Sequence, residues 1–369
     1  NLAMPGLVCL AFLVFNRDLW HIKEMRLVRG LLLFLAIAAP WYVMMAQQED
    51  YGFDLLIKTN FVRYVDAWTH AQPFYYYLRD LVWTFAPWSF FLPGALILAI
   101  SQRSGEQRQG ILLALVWLFS LLLFFSIASG KRPQYLLGAY PAMALLVGYL
   151  FDRALQFWPE SFYRKAIVIP SVILIVLFAL LAVGAPIAAL VSAPEHLVPA
   201  LGFSLIAAVF SVLAYRAWRG DRPDRLMVLP VGLVLVLVVY GVHAIIPAVE
   251  PYKSIRPYAE YVRGQLDLEP NTAWGMYRTY RARYIYYADR FTSDLRKEDE
   301  LQAFLAQPNR ALVILRNRDY EALKATVLAD TEVIDKRQIG SRTRNFVLVS
   351  NRPSRAITTP DQPAVQGRR

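Results

Sequence analysis

The chain has 369 residues, 57% of them hydrophobic, and its mean hydropathy is +0.35. These values exclude an ordinary soluble domain, and the frequent charges exclude a pure bundle of membrane spans. The net charge of +11 does not indicate nucleic-acid binding, because much of it lies in short loops between apolar segments, where it orients membrane spans.

Long apolar runs predict an α-helical polytopic membrane protein, since about 17 to 25 such residues form a transmembrane helix. Runs of this kind occur, in chain order, at 27–46, 82–100, 110–128, 135–151, 166–191, 197–218 and 226–247. A further apolar run, 2–15, lacks an initiator Met and a preceding flank, so we interpret it as the end of a span that begins upstream. About eight transmembrane helices are therefore expected, in the C-terminal portion of a longer protein.

The lysines and arginines of the loops predict the orientation of these spans. One set of loops holds thirteen of them and the alternate set holds five. Because short cytoplasmic loops are rich in Lys and Arg, the first set is predicted to be cytoplasmic. The turn at 129–134 is then outside, so Lys131 and Arg132 oppose the rule that the other loops obey.

The outer loop at 47–81 contains an apolar helical face made by Phe61, Tyr64, Val65 and Trp68. Such a face predicts a helix that lies in the membrane interface rather than crossing it. His70 follows this helix among several carboxylates of the same loop, and carboxylate oxygens are ligands for divalent ions. The alternative for His70 is a hydrogen-bonded surface residue.

The composition changes after Pro247, where charges become frequent and apolar runs become short. This change predicts a transmembrane bundle at 1–249, a small extracytoplasmic α/β domain at 250–352 and a disordered tail at 353–369. Helices are predicted at 254–266, 297–306 and 319–328, and strands at 272–277, 311–316 and 345–350.

Tyrosines and arginines of this domain would suit a sugar or an anionic acceptor, and the alternative is a folded cap on the outer loops. They are Tyr277, Arg278, Tyr280, Arg281, Arg283, Tyr284, Tyr286 and Tyr287.

The outer side also carries cations at headgroup depth, set among tyrosines. Lys58, Arg63, His70, Lys131 and Arg132 would neutralise a phosphate on a lipid tail, and their donors would bind its oxygens. The alternative is that Lys131 and Arg132 only extend toward anionic headgroups. We favour a lipid-phosphate site, because Pro133 and Tyr135 would lock both cations in a turn that faces away from the cytoplasm.

Two stretches resemble motifs of the bacterial protein O-mannosyltransferase superfamily, especially its aminoarabinose transferase-like members. They are "NFVRYVDAWTHAQPFYYYLRDLVWTFAPWSFFLPGAL" and "SGKRPQYLLGAYPA". The second departs from the family pattern at Gly130, Arg132 and Gly138.

The resemblance implies a GT-C membrane glycosyltransferase that uses a polyprenyl-phosphate-linked sugar donor and inverts the anomeric carbon. It assigns Arg63, Lys131 and Tyr135 to the lipid phosphate, to which the residues themselves add Arg132, and His70 to a divalent metal ion or substrate. The acidic catalytic residues of the family lie in an outer loop that would be upstream of residue 1. The resemblance also implies a bacterial inner-membrane location with the C-terminal domain in the periplasm.

The predicted partners are thus a polyprenyl-phosphate-linked sugar, an envelope glycolipid such as a lipid A-like molecule or a protein as acceptor, and membrane lipid, but no nucleic acid. No nucleotide cofactor is expected, because the chain has no Gly-rich phosphate loop and no Asp-x-Asp motif. The alternative function is a non-catalytic flippase for lipid-linked sugar, or a scaffold of an envelope polysaccharide complex.

Overall fold

The structure is a computed structural model, and it describes residues 3–46, 72–101, 105, 107–269, 271–279, 282–338 and 345–352. The chain divides into two compact units, Asn1–Val238 and Val239–Arg369. The domain limits predicted at 249 and 352 stay predictions. Most of the outer loop and the whole tail lie outside the described residues, so the amphipathic helix and the disorder predicted there also stay predictions.

Helices account for the first unit over its described residues. The longer ones are α1 Ala3–Asn16, α2 Leu27–Ala46, α3 Tyr76–Thr84, α4 Leu92–Ser101, α5 Arg108–Ile127, α6 Tyr140–Gln156, α7 Ser161–Ser192, α8 Leu197–Arg219 and α9 Pro223–Tyr240. Short 3-10 turns lie at Leu19–Lys23, Trp88–Phe90, Pro133–Ala139 and Pro194–His196.

Six helical segments of the described chain are long and apolar enough to cross a membrane. They are Leu27–Met44, Arg108–Ile127, Pro133–Gln156, Ser161–Ser192, Pro194–Arg219 and Pro223–Glu250. The prediction of about eight spans is therefore not confirmed, because Met4–Asn16 and Leu92–Ser101 are shorter than a span.

The predicted span at 82–100 is wrong as one continuous helix. The chain instead forms α3, the short turn Trp88–Phe90 and α4. Pro87 and Pro93 lie in this stretch, and a proline removes a backbone donor that a helix interior needs. The break leaves α3 as a separate short helix, and it is α3 that carries part of the candidate site.

Close packing joins several helices of the first unit. Met143, Leu146 and Leu150 of α6 are buried in the core of this unit together with Phe91. Gly94 of α4 lies where a Cβ atom would be only 3.0 Å from the Cβ of Ala166 in α7. The absence of a side chain at Gly94 thus allows α4 to approach α7 closely.

The second unit contains a five-stranded sheet with helices. The helices are α10 Ile246–Lys253, α11 Arg256–Asp267, α12 Ala282–Ala288, α13 Glu298–Leu305 and α14 Asn317–Leu323. The strands are β1 Ala273–Tyr277, β2 Ser293–Leu295, β3 Ala311–Arg316, β4 Glu332–Gln338 and β5 Asn345–Ser350.

The sheet has the strand order β2-β1-β3-β5-β4. β1 runs parallel to β2 and β3, whereas β5 runs antiparallel to β3 and β4, with Val313 opposite Val349. Apolar side chains of β3 and β5 are buried on both faces of the sheet, in two separate clusters. The predicted α/β architecture is confirmed, and strands β3 and β5 have the predicted limits.

Several details of this unit differ from the predictions. The elements α12, β2 and β4 were not predicted, and the helix predicted at 319–328 ends at Leu323. Tyr277 and Tyr284 are fully buried in the core, so they do not face an acceptor, whereas Tyr286 is exposed. Tyr280 and Arg281 lie outside the described residues.

Candidate functional site

The candidate site is the turn at 128–135 between α5 and α6, together with α3. Arg132 precedes Pro133, which favours extended backbone, and its φ and ψ are −137° and 144°. Pro133 begins the following 3-10 turn, where its missing N–H group costs no hydrogen bond. The amide of Tyr135 donates to the carbonyl of Arg132 at 3.1 Å, which closes the turn.

Lys131 is buried in this turn, with 4% of its surface exposed. Its Nζ donates to the carbonyl of Gln72 at 3.0 Å and to the carbonyl of Ala128. Ala128 follows the last residue of α5, where helix carbonyls lack partners within the helix, so Lys131 satisfies one of them. An ammonium group has three donors, and within the described part of the chain these two bonds leave one for a ligand.

The charge of Lys131 has no carboxylate partner among the residues that the structure describes. Burial lowers the pKa of the Lys131 ammonium group, because desolvation disfavours its charged form. A buried charge is costly unless it is paired, so the turn is suited to receive an anion.

Tyr77 of α3 fixes the position of Arg132. Its hydroxyl donates to the Arg132 carbonyl at 3.2 Å and accepts the Arg132 amide at 3.3 Å. Tyr77 is 0% exposed, and burial raises the pKa of its hydroxyl, which therefore stays protonated as a donor. The Nε atom of Arg132 is buried without a hydrogen-bond partner among the described residues, so a donor is left available.

Aromatic packing holds the same turn. The ring of Tyr135 stacks on Phe125 of α5 at a centroid distance of 5.3 Å and an angle of 26°. Phe125 also contacts the ring of Tyr77 edge-on at 6.4 Å. The three rings connect α3, α5 and the turn, so the backbone that carries both cations is held by side chains from separate segments.

Asp80 lies one helical turn after Tyr77 on α3. One of its carboxylate oxygens, Oδ2, is buried without a hydrogen-bond partner in the described part of the chain. Burial raises the pKa of the Asp80 carboxyl, and the charge of Arg79 opposes this rise. No role for Asp80 in the site follows from these contacts alone.

The structure brings together Lys131, Arg132 and Tyr135 of the predicted phosphate site. Arg63 and His70 lie outside the described residues, so their predicted roles stay predictions. Within the described residues, no group of three or more His, Cys, Asp or Glu side chains could hold a metal ion. Tyr77 was not predicted as a site residue, although it lies in the family-like "PFYYY" motif, the one sequence signal that points to it.

Comparison with known proteins finds relatives among the aminoarabinose transferases. An undecaprenyl phosphate-alpha-4-amino-4-deoxy-L-arabinose arabinosyl transferase of Pectobacterium atrosepticum is 28% identical over 81% of this chain and 58% of its own length. The protein of the same name in Erwinia tasmaniensis is 35% identical over 40% of this chain and 27% of its own length. The chain is thus similar in sequence to two proteins named as aminoarabinose transferases. No family model matches it.

Solved structures show the fold of the chain. The crystal structure of ArnT from Cupriavidus metallidurans bound to undecaprenyl phosphate has a TM-score of 0.70 and 17% identity, over 97% of this chain and 66% of that one. The apo structure of the same protein has a TM-score of 0.63 and 19% identity, over 95% of this chain and 64% of that one. The chain therefore has the GT-C fold of a multi-pass membrane protein, and it spans less than two thirds of these relatives.

Proposed function

We propose that this protein is an inverting glycosyltransferase that moves a sugar from a polyprenyl-phosphate donor to an acceptor outside the cytoplasm. The observation that carries the proposal is the burial of Lys131 without a carboxylate partner among the described residues, directly beside Arg132. A lipid phosphate would supply the missing negative charge, and two adjacent cations suit a group that carries more than one oxygen.

The proposed reaction uses these cations on the leaving group. The acceptor hydroxyl gives its proton to a carboxylate base, and its oxygen forms a new bond with the anomeric carbon. The bond between that carbon and the phosphate oxygen breaks, and its electron pair stays on the lipid phosphate. Lys131 and Arg132 stabilise the charge that develops there, which lowers the barrier if their donors are already in place.

The names of the relatives support the donor class. The relatives in Pectobacterium and Erwinia are named for undecaprenyl phosphate-linked aminoarabinose, and the ArnT crystal structure holds undecaprenyl phosphate. For this chain we propose a polyprenyl-phosphate-linked sugar as donor and a lipid A-like molecule, another envelope glycolipid or a protein as acceptor. The comparisons favour this transferase over a flippase or scaffold, because the relatives are named as enzymes.

The loop charges support a location for the reaction. The turn with Lys131 and Arg132 lies on the side with fewer loop cations, which is the outer side of a bacterial inner membrane. The α/β unit follows the last span and would share that periplasmic side. We also propose that His70 contacts a divalent metal ion or the substrate, and that the reaction uses no nucleotide cofactor.

A transfer assay with the intact protein in detergent tests the proposal. Radiolabelled polyprenyl-phosphate sugars are offered with a panel of envelope acceptors, and wild type is compared with Lys131→Ala. We expect sugar transfer by wild type and its loss in the variant. Lys165→Ala is the matched control, because Lys165 is an exposed lysine near the start of α7 and its loss should leave transfer unchanged. A wild-type protein that binds the donor lipid but transfers no sugar to any acceptor would contradict the proposal.

A further inference from the structure

A second cationic region lies far along the chain from the candidate site, where α8 ends and α9 begins. There a partly open cavity of about 460 Å³ lies between the two helices. It is lined by Leu213, Arg216, Asp224, Arg225, Val228 and Leu229. We propose that this cavity binds the phosphate headgroup and the first methylenes of an anionic phospholipid.

The charge of the cavity favours an anion. Two arginines, Arg216 and Arg225, line it together with one carboxylate, that of Asp224. Asp224 is already occupied, because Arg222 donates to it from Nε at 3.3 Å and from the guanidinium NH2 group at 3.2 Å. The local charge is therefore positive, and two guanidinium groups can hold the oxygens of one phosphate.

The apolar lining follows the helices away from the charged turn. Leu213 lies three residues before Arg216 on α8, and Val228 and Leu229 lie three and four residues after Arg225 on α9. Side chains at these spacings share one helix face. Each helix thus presents a cation near the turn and apolar side chains deeper in its span, which is the order of headgroup and acyl chain in a lipid.

The surroundings of the cavity also suit a membrane lipid. Leu213 and Val228 are 45% and 66% exposed, and they belong to segments long and apolar enough to span a membrane. The cavity volume lies within the range of about 300 to 1,000 Å³ that is usual for small-molecule sites. A free phosphate would satisfy the arginines but would leave this apolar lining uncovered, so the lining favours the lipid. Basic pockets between transmembrane helices are known to accept anionic headgroups.

Photo-crosslinking in nanodiscs tests this inference. The intact protein is placed in phosphatidylcholine nanodiscs with a small fraction of phosphatidylglycerol that carries a crosslinker, and labelling of peptide 213–229 is quantified. We expect phosphatidylglycerol to label this peptide. Its affinity should be about 25-fold lower in Arg216→Gln/Arg225→Gln, since each of the two arginines contributes about fivefold near a membrane surface. Arg29→Gln/Arg219→Gln is the matched control, because neither residue lines the cavity, and it should label like wild type.

A second variant keeps the inference testable if the double variant does not fold. Val228→Trp keeps both arginines but fills the apolar part of the cavity, and it too should lose the label. Equal loss in the control variant would overturn the proposal, as would equal labelling by a crosslinking phosphatidylcholine. An excess of inorganic phosphate tests the other source of the anion. If it displaces the label in proportion to its concentration, whatever the acyl chain of the lipid, the site binds free phosphate and the proposal is overturned.

Discussion

Two cations of this protein with little exposed surface are balanced in different ways. Arg337 on β4 has its own carboxylate, since its Nε lies 2.6 Å from Asp335, and it lies over the ring of Tyr261 at 4.8 Å. Lys131 in the turn after α5 contacts backbone carbonyls and no described carboxylate. The charge of a cation that has its own carboxylate is balanced within the protein, whereas a cation without one can bind the anion of a ligand.

A third cation, which is buried, shows that burial alone does not mark a ligand site. Arg310, before β3, donates to the side-chain oxygen of Gln265 at 3.1 Å and to its carbonyl at 3.4 Å. Its contacts are neutral, as those of Lys131 are, but no second cation follows it in the sequence. The adjacent pair Lys131 and Arg132, held by Tyr77, therefore distinguishes the candidate site from a buried cation that only serves the fold.

The largest effect is expected at Lys131. Lys131→Met keeps most of the side-chain volume but removes the charge, so kcat/KM for the donor should fall about 100-fold, the upper range for a charge-assisted hydrogen bond. Steady-state transfer by the intact protein measures it. Lys165→Met, at an exposed lysine, is the control. If Lys131 only serves as a cap for α5, the variant will lose thermal stability while the remaining folded protein keeps its kcat/KM.

The opposite result is expected at Arg337, the cation that has its own carboxylate. Asp335→Ala leaves Arg337 without its carboxylate on side chains that are only about one-sixth exposed, so the α/β unit should lose about 2 kcal/mol of stability. Hydrogen exchange of the β4 and β5 amides measures the loss, and donor affinity should stay unchanged. Asp330→Ala, at an exposed aspartate of the same unit, should change neither quantity. A fall in donor affinity with no change in hydrogen exchange would contradict this account, because it would assign donor binding to Arg337.

A smaller effect is expected at Tyr77. Tyr77→Phe keeps the buried ring but removes the hydroxyl that holds both backbone groups of Arg132, so donor affinity should fall about tenfold. Because Tyr77 acts through Arg132, KM should rise more than kcat falls. Tyr75→Phe is the matched control, since Tyr75 is an exposed tyrosine of the same segment. Donor affinity that is identical in wild type and Tyr77→Phe would remove Tyr77 from the site.

The smallest effect concerns pH. Burial lowers the pKa of Lys131, so its ammonium loses its proton at a lower pH than an ordinary lysine does. Donor binding needs the protonated form and should therefore be lost as pH rises through this lowered pKa. An arginine does not titrate in this range, so Lys131→Arg should extend donor binding to higher pH. Titration of donor binding in both proteins measures the shift, and superimposable curves would show that Lys131 does not set the alkaline limit.

The sequence predicts some parts of this protein well and others poorly, for physical reasons. Strands β3 and β5 are apolar runs buried on both faces, so composition alone identifies them. Strand β4 was missed, because Asp335, Lys336 and Arg337 interrupt its apolar pattern and a bulge follows Val333. Helix α12 was missed because it is only seven residues long and rich in tyrosine, which has a modest helix propensity.

The candidate site shows the same limit. Sequence alone could locate Lys131, Arg132 and Tyr135, because their position opposes the charge rule and matches a family motif. It could not predict the burial of Lys131, which depends on the carbonyl of Gln72, a group 59 residues earlier in the chain. The bonds between Tyr77 and Arg132 join residues 55 positions apart, and no local pattern encodes such a contact.

The most direct test of the central claim is the affinity of the intact protein for a polyprenyl phosphate, compared with its affinity for the same polyprenol without phosphate. Wild type should prefer the phosphate by about 100-fold, since Lys131 and Arg132 would each make a charge-assisted contact to it. A folded Lys131→Met/Arg132→Gln variant should lose most of this preference and keep its affinity for the alcohol. If the variant prefers the phosphate as strongly as wild type does, the turn at Lys131 and Arg132 is not the lipid-phosphate site.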